Sequence, residues 1–242
     1  MLHNTFCRRL AALVLTLAVA VSAVLPVFAV YPMPIQTATE TEAVYLFNAD
    51  TGKTLLTQNA DQPRYVASLT KMMTALLLLE SGKDLNGEVT VPTDLTQEFK
   101  DIQNANGTTM GLRIGETVRR IDLLNALLIT SANDAASVIA WDVGGSLNAF
   151  IQQMNARAAE LGCTSATFTC AHGLYDYGNV ASAEDMAKIA AACAANETFA
   201  QVAGSTTYTL GQTNFHSEQR TISSSNPLMD ASGAYYKDSV KW

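Results

Sequence analysis

The sequence predicts an α+β protein, and three observations lead to that prediction. Two short apolar runs flank the turn-rich stretch NADTGK near the start, and the middle of the chain carries helical periodicity. Near the end, TTYTL and QRTISSS have the composition of short strands. Hydrophobic residues make up 48% of the 242 residues and charged residues 15%, which is typical of a globular protein.

The β segments are predicted from apolar runs bounded by turn residues. Residues 42–60, EAVYLFNADTGKTLLTQNA, predict a hairpin, and GEVTVP at residues 87–92 predicts a short strand. The stretch NANGTTMGLRIGE, residues 104–116, is rich in Gly and Asn and is predicted to be a loop.

The helices are predicted from their periodicity and end signals. The helix that opens at Ser68 ends at Gly82, where glycine suits the position after a helix. Ser146 is the expected N-cap of the following segment, and Ser182 with Asp185 has capping-box spacing. The other predicted helical segments are TVRRIDLLNALLIT (117–130), DAASVIAWDVGG (134–145), LNAFIQQMNARAAELG (147–162) and SAEDMAKIAAACAA (182–195).

The first residues have the layout of a secretory signal peptide. Arg8 and Arg9 precede an apolar stretch, and small residues near Ala29 suit cleavage. We therefore expect a signal peptide at 1–29, a Pro- and Thr-rich linker at 30–40 and a folded domain at 41–242; an uncleaved membrane anchor is the alternative for the first segment. The net charge of −7 without a basic block predicts no nucleic-acid partner.

The cysteines and histidines predict neither a disulfide scaffold nor a metal site. Without the signal peptide three cysteines remain, Cys163, Cys170 and Cys193, and an odd number cannot all pair within one chain. No CxxC or HExxH pattern occurs and the histidines are scattered. No metal and no other cofactor is therefore expected.

Ser68 and Lys71 are the first candidates for chemistry. They are three residues apart at the start of an apolar helix, so both side chains project from one face of its first turn. Burial of Lys71 would favour its neutral amine, which can accept the proton of the Ser68 hydroxyl, and helix N-terminal N–H groups suit an oxyanion. The alternative is that Ser68 only caps the helix and Lys71 extends into solvent.

A second element, Ser131-Ala-Asn133, lies between two predicted helices. The set of Ser-x-x-Lys, Ser-x-Asn and Lys-Thr-Gly is found in penicillin-binding proteins and class A β-lactamases. Two other Ser-x-Asn matches exist: Ser146 is better explained as a helix cap, and Ser224 lies in a polar tail. Ser131 sits on a tight inter-helix loop that could face Ser68.

These motifs and their flanks resemble the serine D-alanyl-D-alanine carboxypeptidases, the low-molecular-mass penicillin-binding proteins. The similar segments are 43–80 around Ser-x-x-Lys, 108–136 around Ser-Ala-Asn, and 150–174 and 182–190 after it. The resemblance runs from about residue 42 to the end. It implies the β-lactamase/DD-peptidase fold, with an antiparallel sheet packed against a helical cluster.

The resemblance also implies roles for particular residues. Ser68 would be the acylated nucleophile, Lys71 its proton acceptor, Ser131 a proton relay to the leaving amine, and Asn133 a binder of the substrate's amide. The substrate would be a peptidoglycan stem peptide ending in D-Ala-D-Ala, and β-lactams would acylate Ser68 as inhibitors. No cofactor is implied, and the protein would act on the outer face of a bacterial cell envelope.

The third motif of the family is missing. No Lys-Thr-Gly occurs, and Lys237 and Lys241 lack the Thr-Gly that would follow. We expect a C-terminally incomplete domain that lacks its last strands, with Lys-Thr-Gly encoded beyond residue 242. Relatives often carry a further domain and a membrane-binding helix there, through which membrane association would occur.

Three rival functions stay open. A class A β-lactamase would have Asp at the middle of the second motif, where this chain has Ala132, and a later glutamate segment that is not found. A DD-endopeptidase shares the motifs. An inactive penicillin-binding remnant would explain the missing third motif. His172, in the stretch AHGL, is assigned to a structural loop, and Asp134 is expected to cap the helix that begins at 135.

Overall fold

A helical cluster with short β-ladders forms the part of the chain that the computed structural model describes, residues 42–174 and 176–233. Its helices are α1 (Thr70–Glu80), α2 (Thr96–Asn104), α3 (Arg120–Ile129), α4 (Asn133–Gly144), α5 (Leu147–Glu160), α6 (Ala183–Ala194) and α7 (Glu197–Ala203). Its strands are β1 (Val44–Phe47), β2 (Thr54–Gln58), β3 (Arg64–Tyr65), β4 (Glu88–Thr90), β5 (Thr117–Arg119), β6 (Val180–Ala181), β7 (Thr207–Leu210) and β8 (Arg220–Ser223). Single-turn 3-10 helices at Ala67–Leu69 and Thr93–Leu95 precede α1 and α2. The predicted α+β composition is confirmed.

Helix α1 lies at the centre of the cluster and contacts α3, α4, α5, α6 and α7. Its apolar residues Met73, Ala75, Leu76 and Leu78 are at most 2% exposed. Burial of each Leu or Met side chain contributes roughly 1.5–3 kcal/mol. The polar residues at the start of α1 are therefore carried into the interior with the apolar ones.

The strands pair as two-stranded antiparallel ladders. The predicted hairpin is confirmed as β1–β2, and β4–β5 and β7–β8 pair in the same way. The fourth ladder, β3–β6, pairs Arg64 with Ala181 and Tyr65 with Val180. It joins the segment just before Ser68 to a segment more than a hundred residues later, and so brings the loop before β6 close to the start of α1.

Most helix ends follow the sequence signals. Ser146 accepts a hydrogen bond from the backbone of Ala149, and Ser182 accepts one from Asp185, as N-caps do. Gly82 follows α1 with a φ of 72°, which glycine adopts without the cost of a side chain. The two N-caps and the helix end are confirmed, but the capping box at Ser182 is only half formed, because the Ser182 N–H donates to Ser165 Oγ and not to Asp185.

Several segments differ from the prediction, and among them α7, β3 and β6 were not predicted at all. Residues 117–119 were expected to be helical, but they form β5, and α3 begins only at Arg120. The β4–β5 ladder explains the difference, because long-range pairing overrides local periodicity. Helix α2 was not predicted, since Phe99 and Ile102 are its only strongly apolar residues, and Ile102 alone is buried.

Asp134 does not cap α4 as predicted, because it is the second residue of that helix, whose N-cap is Ala132. Its carboxylate accepts the backbone N–H of Ala135, at 2.9 Å, and also those of Met110, Gly111 and Leu112, at 2.9–3.0 Å. The residue is 2% exposed. One side chain therefore fixes the loop before β5 to the start of α4.

Replacing Asp134 with Asn is expected to lower the free energy of unfolding by about 2–3 kcal/mol, because an amide group would face buried N–H donors that need acceptors. Denaturant-induced unfolding measures this change. Asp101→Asn, on the exposed face of α2, is the matched control and should change stability little. Equal stability of the two variants would contradict the role of Asp134.

Candidate active site

Ser68 lies in the 3-10 turn Ala67–Leu69, directly before α1, and its side chain is exposed. Ala67 has a φ of 46°, a left-handed conformation that is costly for a residue with a side chain. The turn continues into α1, so Ser68 and Lys71 keep the relation of neighbouring helical turns. Lys71 Nζ lies 3.2 Å from Ser68 Oγ.

Lys71 is buried, with 3% of its surface exposed, so the alternative of a lysine extending into solvent is wrong. Burial lowers the pKa of its amine to about 8, and the influence of Cys170 opposes that shift. A substantial fraction of the amine is therefore neutral near pH 8.

The contacts of Lys71 orient its amine. Nζ lies 2.8 Å from Asn133 Oδ1 and 2.5 Å from the backbone oxygen of His172. A neutral amine has two N–H groups and one lone pair. Because two acceptors take both N–H groups, the lone pair is left for the Ser68 hydroxyl.

Ser131 lies between α3 and α4 and faces Ser68. Its hydroxyl donates to Ser68 Oγ at 3.0 Å. Its φ of 58° is left-handed, so the turn that presents it is strained, as residues at functional sites often are. The structure thus brings Ser68, Lys71 and Ser131 into one hydrogen-bonded group.

Asn133 begins α4 and is 4% exposed. Its Oδ1 accepts from Lys71, and its Nδ2 donates to the backbone oxygen of Thr108 at 3.0 Å. In this structure its side chain holds the amine of Lys71. The substrate contact implied by the resemblance stays a prediction.

The segment that contains His172 and Gly173 was not predicted to reach the site. Its contact with Lys71 is made by a backbone carbonyl, which leaves no mark in the sequence. Gly173, with a φ of 79°, packs so closely on the 3-10 turn that a Cβ there would overlap the carbonyl oxygen of Ala67. In the sequence, Gly173 directly after His172 could have indicated this contact, because a glycine lets another backbone segment approach closely.

An open cleft of about 450 Å³ gives access to Ser68. Its lining is mainly apolar apart from the hydroxyls of Ser68 and Ser131 and the amine of Lys71; the other lining residues are Val66, Ala67, Leu69, Met72, Leu127 and Leu128.

In residues 42–174 and 176–233 no group of three or more His, Cys, Asp or Glu side chains could hold a metal ion. The two rival Ser-x-Asn matches are elsewhere: Ser146 caps α5, and the Ser224 hydroxyl accepts from the backbone of Asn226 in a turn.

Comparison with known proteins shows what this arrangement is similar to. The family model of D-alanyl-D-alanine carboxypeptidases matches residues 32–237, which is most of the sequence. The chain belongs to this family. The resemblance seen in the motifs is thereby confirmed.

Curated relatives include carboxypeptidases and endopeptidases. The chain is 33% identical over 153 residues to the D-alanyl-D-alanine carboxypeptidase DacF of Bacillus subtilis, covering 63% of this chain and 39% of that protein. It is 32% identical over 175 residues to a D-alanyl-D-alanine endopeptidase of Pseudomonas aeruginosa, covering 72% and 54%. The chain thus spans about half or less of the length of these relatives.

Solved structures show the fold. A Streptomyces DD-transpeptidase has a TM-score of 0.71 and 30% identity, covering 78% of this chain and 74% of that one. The D-alanyl-D-alanine carboxypeptidase of Mycobacterium tuberculosis has a TM-score of 0.68 and 27% identity, covering 78% and 67%. The DD-peptidase fold expected from the family's motifs is confirmed.

Gly173→Ala is expected to destabilise the protein by clearly more than Gly82→Ala. Both positions have a positive φ, so both variants should lose about 1–2 kcal/mol from backbone strain. Only at Gly173 does the added Cβ meet backbone atoms, whereas nothing lies within 4 Å of one at Gly82. Denaturant unfolding compares the two variants, and equal losses would contradict the close packing of Gly173 on the turn that holds Ser68.

Proposed function

We propose that the chain is a serine D-alanyl-D-alanine carboxypeptidase that removes the terminal D-alanine from peptidoglycan stem peptides. The observation that carries this proposal is the position of Ser68 Oγ, 3.2 Å from Lys71 Nζ and 3.0 Å from Ser131 Oγ, in an open cleft. Family membership supports the substrate class.

The first step forms an acyl-enzyme. The lone pair of Lys71 takes the proton of the Ser68 hydroxyl while Oγ attacks the carbonyl carbon between the two D-alanines. Within the described residues the backbone N–H of Ser68 donates to no other group, so it can stabilise the oxyanion. As the C–N bond breaks, the proton that Lys71 took from Ser68 passes through the Ser131 hydroxyl to the departing amine, which leaves Lys71 neutral again.

The second step frees the enzyme. Water attacks the ester carbonyl on Ser68 and gives a proton to the neutral Lys71. As the ester C–O bond breaks, Lys71 returns this proton to Oγ, which releases the shortened peptide and restores the Ser68 hydroxyl. A β-lactam would acylate Ser68 by the same first step, because its strained amide presents an equivalent carbonyl to the Ser68 hydroxyl. Asn133 is proposed to bind the substrate's amide in addition to holding Lys71.

Cleavage of wall cross-links by an endopeptidase is the second candidate function. Similarity to the Pseudomonas aeruginosa endopeptidase, over 72% of this chain, favours it. The chemistry on Ser68 would be the same, and only the leaving amine would differ.

We further propose that the protein works at the outer face of a bacterial cell envelope, where its substrate lies. The predicted signal peptide at 1–29 and the linker at 30–40 support this, and they lie outside the residues that the structure describes. Across the described ranges, no helix combines the length and apolar character needed to span a bilayer. Membrane association through a region beyond residue 242 stays a prediction.

Incubation with benzylpenicillin should add one penicilloyl group to the protein, and intact-mass spectrometry with peptide mapping should place it on Ser68. Ser68→Ala should take up none, because no other hydroxyl in the cleft adjoins the amine in the same way. Ser81→Ala, at the exposed end of α1, is the matched control and should react as the wild type does.

Two substrates then separate the carboxypeptidase from the endopeptidase. A carboxypeptidase releases D-alanine from a stem pentapeptide, whereas an endopeptidase cleaves the bond between two cross-linked stem peptides. Uptake of penicillin by Ser68→Ala would show that the nucleophile is another residue. Hydrolysis of a chromogenic β-lactam without D-alanine release would favour the β-lactamase alternative.

The rate of Ser68 acylation at low benzylpenicillin concentration should depend on the neutral fraction of Lys71. With the pKa of Lys71 at about 8, the rate should rise about tenfold per pH unit below pH 8 and level off above it. Stopped-flow measurements from pH 6 to pH 9.5 test this profile. A rate that is constant across that range would exclude Lys71 as the proton acceptor.

A further inference from the structure

A chain of buried hydrogen bonds lies behind Lys71, away from the cleft. It begins at the backbone oxygen of His172, which accepts from Lys71 Nζ. His172 lies in the irregular loop between α5 and β6, so no helix or strand fixes this carbonyl. Its position must come from other contacts.

The imidazole of His172 supplies two of those contacts. Its Nδ1 accepts from the backbone N–H of Leu174 at 3.0 Å. Nε2 lies 3.0 Å from Glu98 Oε1, and because a carboxylate oxygen can only accept, Nε2 carries a proton and donates to it. Both ring nitrogens of His172 make hydrogen bonds, and its side chain is only 10% exposed. The loop is therefore anchored through the imidazole ring of His172.

Glu98 is itself fixed by a second helix. It lies on α2, and Ser137 Oγ on α4 donates to its Oε1 at 2.8 Å. Ser137 is one turn after Asn133, the other residue that holds Lys71. The hydrogen bond from His172 lowers the pKa of Glu98, so its side chain is a carboxylate at neutral pH. The two acceptors of Lys71 are thus tied to each other through Glu98.

We propose that Glu98 is a positioning residue for acylation: by anchoring the ring of His172, it sets the backbone carbonyl that orients the amine of Lys71 toward Ser68. This inference rests on the proposed function. Glu98 does not line the Ser68 cleft; it borders a separate cavity of about 180 Å³ beside Cys170. It therefore acts on the reaction through His172 and touches neither the substrate nor the nucleophile.

The expected effect is on the rate of the chemical step and not on binding. Without the anchor, the carbonyl of His172 loses one of its restraints, and the lone pair of Lys71 is less firmly fixed on Ser68. A displacement of about 1 Å at a reacting group can cost about a hundredfold in rate. Binding of the ligand should be unaffected, because Glu98 borders a different cavity.

Stopped-flow acylation by benzylpenicillin, with the full chain, separates the maximal acylation rate from the dissociation constant of the first complex. Glu98→Ala is expected to lower the maximal rate by about tenfold to a hundredfold and to leave the dissociation constant within about twofold. Glu98→Gln keeps an acceptor oxygen for His172 and Ser137 and should restore most of the rate. Asp101→Ala, an exposed carboxylate on the same helix, should match the wild type.

Ser137→Ala keeps the experiment decisive if Glu98→Ala fails to fold. It removes one of the two donors that fix Glu98, and it should lower the maximal rate with the dissociation constant unchanged. A folded Glu98→Ala, or in its place a folded Ser137→Ala, with the wild-type maximal rate would overturn the role of Glu98. So would an increased dissociation constant at constant maximal rate, or a Glu98→Gln no faster than Glu98→Ala.

Failure of the proposed function has a different signature. A wild-type chain that takes up no penicillin on Ser68 would overturn the proposed function, and the role of Glu98 with it. A wild type that is acylated, alongside variants that react at the same maximal rate, would overturn only the role of Glu98.

Discussion

Lys71 is a buried amine whose position is set by the central helix of the cluster, α1. The apolar side chains of α1 are driven into the interior, and Lys71 is carried with them because it shares their helix. A buried amine needs hydrogen-bond partners, and Asn133 Oδ1 and the backbone oxygen of His172 supply them. The cost of burial lowers its pKa, which is the property that a proton acceptor for a serine requires.

The strained backbone around the site follows from the same packing. Ala67 and Ser131 both have a positive φ, and each presents or adjoins a hydroxyl of the cleft. Gly173 allows the loop of His172 to lie directly on the turn that holds Ser68. Such strain costs free energy, and it persists because the elements on either side, β3 and α1 at Ala67 and α3 and α4 at Ser131, fix both ends of each turn. Rigid packing therefore holds the hydroxyls and the amine in contact without a bound substrate.

Prediction from sequence succeeded where the signal was local. The hairpin, the caps at Ser146 and Ser182 and the helix end at Gly82 each depend on a few adjacent residues. Prediction failed at β5, which local periodicity assigned to a helix, because strand pairing decided its conformation. It also missed α2, a polar helix with little periodic signal, and so missed Glu98.

The sequence by itself determined that Ser68 and Lys71 share one helical face and that Ser131 lies on a short loop directly before a new helix, because these relations arise within a few residues. Only the tertiary structure decided that Lys71 is buried and which groups accept hydrogen bonds from its amine. Those partners are 62 and 101 residues away along the chain, and Glu98 is 74 residues from His172. Contacts at such separations are set by the packing of whole helices, and one of them involves a backbone carbonyl that every residue type possesses. No local pattern could therefore encode them.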